Sequence, residues 1–216
     1  MVNPDPRELS TTDSAILLVI DVQGKLAEMV HDSERLRLNV GKMLRIADLF
    51  RVPVVLTEQY PRGLGGTVPE LRLLFDGLAT EKHLVEKTAF GCCGEAGFDE
   101  LLARVAEGVR RRCGAGAVYR QPAPPCEDRA LDVIVVGMET HVCVQQTVLE
   151  LLRRGEHRVV VLEDATSSRA ASHHRIALDR FRQCGAVVSC YESVAFEWAR
   201  SKDHPLFRAM SAIVKQ

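Results

Sequence analysis

Apolar residues fall along this chain in two alternating rhythms. AILLVID (Ala15 to Asp21), VPVVLTE, LDVIVVG and HRVVVLED are short runs that lack the polar alternation of a half-exposed strand. Such runs belong to strands covered on both faces. KHLVEK (Lys82 to Lys87) and GAVVSC are shorter, and supply a third and a sixth strand in chain order. Between the strands the spacing becomes helical. SERLRLNVGKMLRIADLF (Ser33 to Phe50) places Leu36, Val40, Leu44 and Ala47 on one face, with Ser33 as its N-cap. Phe98 to Arg111, Cys143 to Arg154 and Ser167 to Cys184 read as further helices, Gly155 closes the second of these, and a helical tail follows the sixth strand.

Strands separated by helices predict an α/β fold: a three-layer α/β/α sandwich on a six-stranded parallel sheet with right-handed crossovers. It is Rossmann-like, with the strand order expected to be 3-2-1-4-5-6. Two segments break the rhythm. EQYPRGLGGTVPE (Glu58 to Glu70) leaves the carboxyl end of the second strand and is placed to arch over a site there. CGAGAVYRQPAPPCEDRA (Cys113 to Ala130) is a proline-broken insertion entering the amino end of the fourth strand, and is expected to be a solvated loop remote from any chemistry. With no tandem repeat and no low-complexity linker, residues 1–216 are expected to form one domain.

Composition narrows the function classes. A formal net charge of -1 gives no pull toward nucleic acid or anionic membranes. RRGEHR and VRRRCG are the only basic runs, and short runs of this kind are usually solvated faces. Seven cysteines, without CxxC pairing or a His-x-x-x-His partner, support neither a disulfide framework nor a zinc site. No apolar run approaches membrane-spanning length, and the polar, proline-broken start is unlike a secretory signal. A reducing compartment is expected, the cytoplasm first, with the mitochondrion left open.

In an open α/β sheet, ligands sit outside the carboxyl ends of the strands. Three reactive groups fall there: Asp21 after the first strand, Lys87 after the third, and Cys143 after the fourth. Each has a plain alternative. Asp21 serves equally as a turn or capping residue, Lys87 as a surface lysine, and most cysteines are buried and inert. A helix N-terminus and a nearby ammonium would favour a Cys143 thiolate, and a carboxylate beside it can take and return a proton. His141 and the pair His173 and His174 are read as structural. Gly63, Gly65 and Gly66 do not form a phosphate loop.

LLVIDVQ around Asp21, VEKTAF around Lys87 and GMETHVCV around Cys143, with LEDATSSR after the fifth strand, together resemble the isochorismatase-like cysteine hydrolase superfamily from about Ala15 to Ser193. TEQYPRGLGGTVPEL is most similar to its isochorismatase-domain-containing group. The resemblance implies a catalytic triad of Asp21, Lys87 and Cys143, with Cys143 as nucleophile. It also implies a cis peptide between Met138 and Glu139, and an oxyanion hole made by the backbone N–H groups of Glu139 and Cys143. Isochorismatase proper lacks the nucleophilic cysteine. The histidines that hold the nicotinamidase metal are absent from TEQYPRGLGG, so the resemblance implies neither metal nor cofactor. It implies a homo-oligomer, for which FEWARSKDHPLFRAMSAIV offers an apolar surface.

The function expected first is a metal-independent hydrolase that cuts a small amide or related C–N bond through a covalent acyl-enzyme. Gln59, Tyr60, Arg62 and Phe90 are the candidate substrate-binding residues, and the expected partner is a small molecule, with no membrane and no nucleic acid. A non-catalytic binding protein on the same scaffold is the alternative, and a ribonuclease a further one.

Overall fold

A computed structural model describes residues 7–112 and 130–216. Six strands, β1 (Ala15–Ile20), β2 (Val54–Gln59), β3 (Lys82–Lys87), β4 (Leu131–Met138), β5 (His157–Ser167) and β6 (Val187–Ser189), form one parallel sheet in the order β3-β2-β1-β4-β5-β6. The Cys113–Ala130 insertion lies, apart from Ala130, outside the described residues.

Burial explains why the strands read as unbroken apolar runs. Ala15, Leu17 and Val19 of β1 face one core, shared with α2 (Ser33–Leu49), α4 (Pro69–Gly77), α8 (Tyr191–Ala199) and α9 (Phe207–Val214). Ile16, Leu18 and Ile20 face the other, shared with α5 (Phe98–Arg112), α6 (Gln145–Arg154) and α7 (Ala171–Gln183). With a helical layer on each side, neither set of alternating residues meets water, and polar residues have no place between them. Two short helices, α1 (Leu26–Met29) and α3 (Pro61–Leu64), lie in the connections after β1 and β2.

Several boundaries differ from the sequence expectation. Ser33 is the first helical residue of α2, not its cap; that place belongs to Asp32, in the left-handed region. The segment taken as irregular after the second strand contains α3 and the start of α4, where Pro69 occupies the first turn and Leu71 and Phe75 bury one face. β5 runs on to Ser167, because after a register shift Thr166 and Ser167 pair with Gly137 and Met138. The following helix therefore starts at Ala171 rather than Ser167. The helix expected from Cys143 opens instead as a π turn, Thr140–Val144, before α6.

Gly137 in β4 has a φ of +116°, and a Cβ built on it would lie 2.0 Å from the carbonyl oxygen of Ile20. Only glycine allows the two central strands to approach this closely just below the site.

Candidate active site

Asp21 is the first residue past β1. Its φ of 52° turns the chain sharply, while its backbone N–H still donates to Thr57 O of β2 at 3.2 Å. The side chain is thereby held at the rim of the sheet and is 5% exposed. Lys87 closes β3 and comes back beneath the same rim. Its ammonium lies 2.7 Å from Asp21 Oδ2, and the two side chains are 0% and 6% exposed. Buried charges are held only when paired and hydrogen-bonded, and both conditions are met. Lys87 Nζ donates to Gln59 Oε1 at 2.6 Å, to Phe90 O at 2.8 Å and to Ala89 O at 3.2 Å. The three ammonium hydrogens are thus engaged by neutral acceptors. Asp21 Oδ2 is met by the positive charge without an aligned hydrogen bond, whereas Oδ1 accepts from Thr57 Oγ1 at 2.6 Å.

Cys143 arrives from β4 on the π turn. Its carbonyl accepts from Thr147 Oγ1 at 2.8 Å, and the same hydroxyl accepts from Cys92 N at 3.0 Å, which ties the turn to the loop after Lys87. The structure corrects the expected thiolate. Burial pushes the Cys143 thiol well above its ordinary value, the Asp21 carboxylate adds to this by charge and hydrogen bonding, and Lys87 opposes it without prevailing. Cys143 is therefore a neutral thiol at rest beside a buried carboxylate. Cys92 and Cys93 are also held protonated by burial, raised to about 11 and about 12.

The peptide between Met138 and Glu139 is cis. Glu139 O accepts from Val142 N at 2.9 Å and Val144 N at 3.3 Å, which shapes the turn. The Glu139 carboxylate is gripped by Arg169, through the backbone N–H at 2.8 Å and Nε at 3.1 Å. Burial pushes this carboxyl upward, but the hydrogen bonds and charge of Arg169 outweigh it and hold it below the usual range. His141 rests against Ser168 Oγ at 3.0 Å and faces His173 with ring centroids 4.7 Å apart. His174 meets Thr140 Oγ1 at 2.8 Å. These histidines brace the π turn, in keeping with a structural role.

The four candidate substrate-binding residues divide. Tyr60 and Phe90, each 55% exposed, flank the site through backbone contacts to Lys87, and Arg62 is exposed on the same loop. Gln59 is different, since one end of its amide is taken by Lys87 and the other donates to Thr88 O at 2.7 Å. Its amide is therefore committed in part to holding Lys87 in place. The loop after β2 is likewise fastened rather than free. Gln23 Nε2 donates to Gly65 O at 2.6 Å, and Glu58 Oε1 accepts from Thr67 N and Oγ1, both at 2.8 Å.

Sequence reading missed Thr57, Gln23 and Glu58. Polar residues inside or directly after an apolar buried run were the available signal, because such groups persist only with partners. Among the described residues, no group of three or more His, Cys, Asp or Glu side chains gathers as for a metal ion. Among them too, no helix is long and apolar enough to cross a membrane.

Residues 15–193 match the isochorismatase domain family. Isochorismatase domain-containing protein 2 of Bos taurus is 32% identical over 203 residues, which span 94% of this chain and 84% of that protein. Among solved structures, the MAR1 ribonuclease of Caenorhabditis elegans is similar at a TM-score of 0.77 and 29% identity, covering 97% of this chain and 93% of that one. The YcaC gene product of Escherichia coli, an octameric hydrolase of unknown specificity, shares the fold at a TM-score of 0.73 and 22% identity, covering 98% of each chain.

Proposed function

The chain belongs to the isochorismatase domain family, and from that premise we propose that it is a cysteine hydrolase cleaving a small amide or related C–N bond through a thioester intermediate. One observation carries the reading: a buried carboxylate, Asp21, is paired with Lys87 at 2.7 Å, and its charge bears on the buried Cys143 thiol. Because the thiol is neutral at rest, its proton passes to Asp21 Oδ2 as sulfur attacks the carbonyl carbon. The ammonium of Lys87 stabilises the developing negative charge but keeps its own protons, which are engaged elsewhere. The tetrahedral oxyanion is assigned to the backbone N–H groups of Glu139 and Cys143, each such donor contributing roughly a hundred- to a thousandfold in rate.

Asp21 then protonates the leaving nitrogen as the C–N bond breaks, which leaves the acyl group on Cys143 Sγ. Water attacks this thioester with Asp21 as base, releasing the acid and restoring the thiol. Tyr60, Arg62 and Phe90 form the rim that meets the small-molecule substrate. The catalytic unit is a closed homo-oligomer. The octameric E. coli relative supports this, as does half-exposed Phe196 on the tail.

Incubation with a library of small amides, carbamates and hydroxamates, followed by intact-protein and peptide mass analysis, tests the proposal. An acyl adduct confined to Cys143, absent in Cys143→Ser, is the expected result. Turnover that persists in Cys143→Ser would overturn it, and a protein that only binds its ligand would be a non-catalytic scaffold. The likeness to a MAR1 ribonuclease favours a second reading, RNA cleavage. Labelled RNA cut by the wild-type protein and left intact by Asp21→Asn would establish that activity at this site.

A further inference from the structure

One polar side chain in the site takes no part in the bond-making steps. Thr57, in β2, is in register with Ile20 and is 0% exposed, next in sequence to the apolar Val55 and Leu56. A buried hydroxyl is unfavourable without a partner, and this one donates to Asp21 Oδ1 at 2.6 Å. Its carbonyl also receives the Asp21 backbone N–H at 3.2 Å. The residue therefore holds Asp21 at both the main chain and the carboxylate, across a turn whose φ is 52°.

The two oxygens of Asp21 are consequently unequal. Oδ1 accepts from the Thr57 hydroxyl, while Oδ2 lies against Lys87 Nζ at 2.7 Å. Resting on the triad reading above, we infer that Thr57 is a positioning residue that fixes the plane of the Asp21 carboxylate, so that the group stands ready to exchange the proton with Cys143. Without that bond the carboxylate would turn about its Cβ–Cγ bond and lose the plane that Thr57 sets.

The test reads the rate at which iodoacetamide alkylates Cys143, by peptide mapping across pH, and needs no substrate. In a coupled acid–thiol pair, the acidic limb of that profile reports the pair's first ionisation. Thr57→Val should displace the limb from the wild-type curve, and Thr57→Ser should stay on that curve. Thr57→Ala serves as a second hydroxyl-free variant where valine fails to fold. A limb unmoved in the valine or alanine variant overturns the assignment, as does a serine variant as shifted as valine. Asp21→Asn is the control that separates the two levels of inference. It should remove the carboxylate's step and leave only the rise set by the thiol itself, and a profile unchanged from wild type overturns the triad itself. Loss in Asp21→Asn with no shift in Thr57→Val overturns Thr57 alone.

Discussion

Replacing Lys87 with methionine should cost far more stability than an ordinary lysine substitution, and the structure sets the size. Methionine keeps most of the aliphatic stem, so packing is a small part of the loss. The ammonium, however, is the charge partner of a carboxylate that is 5% exposed, and three acceptors, Gln59 Oε1, Phe90 O and Ala89 O, depend on it. Removing one member of a buried pair costs about 3–5 kcal/mol. For a chain of this length that corresponds to a fall of roughly 6–20 °C in melting temperature. The double variant Asp21→Asn, Lys87→Met should melt above Lys87→Met alone, because the uncompensated carboxylate is gone. Thermal melts and urea titrations of the two variants and the wild type at one protein concentration measure both effects. A Lys87→Met protein that melts within about 2 °C of wild type, or a double variant no more stable than the single, would refute the reasoning.

Other outcomes follow from the same structure. Asp21→Asn should lower turnover by roughly two to four powers of ten and, because it strips buried Lys87 of its charge partner, should also lower the melting temperature; a folded variant with normal turnover would make Asp21 only a turn residue. Burial holds His174 below its ordinary value of 6.5, against the opposing pull of Glu163. Protonation therefore favours the unfolded chain, and stability should be full above about 6.5 and decline as pH falls below it. His174→Gln should flatten that decline in melts taken from neutral to mildly acidic pH. Hydrolysis should survive chelation, with elemental analysis finding zinc, iron and manganese well below one per chain. Light scattering should give a closed multiple of the 23.9 kDa chain, and a monomer at micromolar concentration would contradict the assembly.

The sheet was legible in the sequence because burial on both faces erases polar alternation. AILLVI, VVL and VIVV carry that mark with little ambiguity. Helix α4 was less visible: Leu71 and Phe75 supply the helical spacing, but the surrounding glycines and prolines drew attention to turns. The π turn under Cys143 could not be read, since one changed hydrogen-bond register leaves the apolar spacing almost intact. Asp21, Lys87 and Cys143 were singled out from their positions at strand ends, and the first two meet at 2.7 Å. The state of the thiol was not legible, because reasoning from a helix N-terminus counts attraction to the chain's dipole and omits desolvation, which here dominates. The partners of Gln59 were hidden for a related reason: from sequence, a polar residue at a site rim has none in view, while in three dimensions its amide bonds Lys87 and Thr88.

The contact between Gly137 and Ile20 bears on how this scaffold can be re-engineered. A methyl group at position 137 would collide with a main-chain oxygen at 2.0 Å, so the two central strands must separate to admit it. Asp21 continues directly from one of those strands, and the turn bearing Cys143 from the other. Any widening of the floor would therefore pull Asp21 and Cys143 apart, sacrificing alignment for room. Libraries aimed at bulkier ligands should leave β1 and β4 untouched and vary Tyr60, Arg62 and Phe90, whose side chains are exposed.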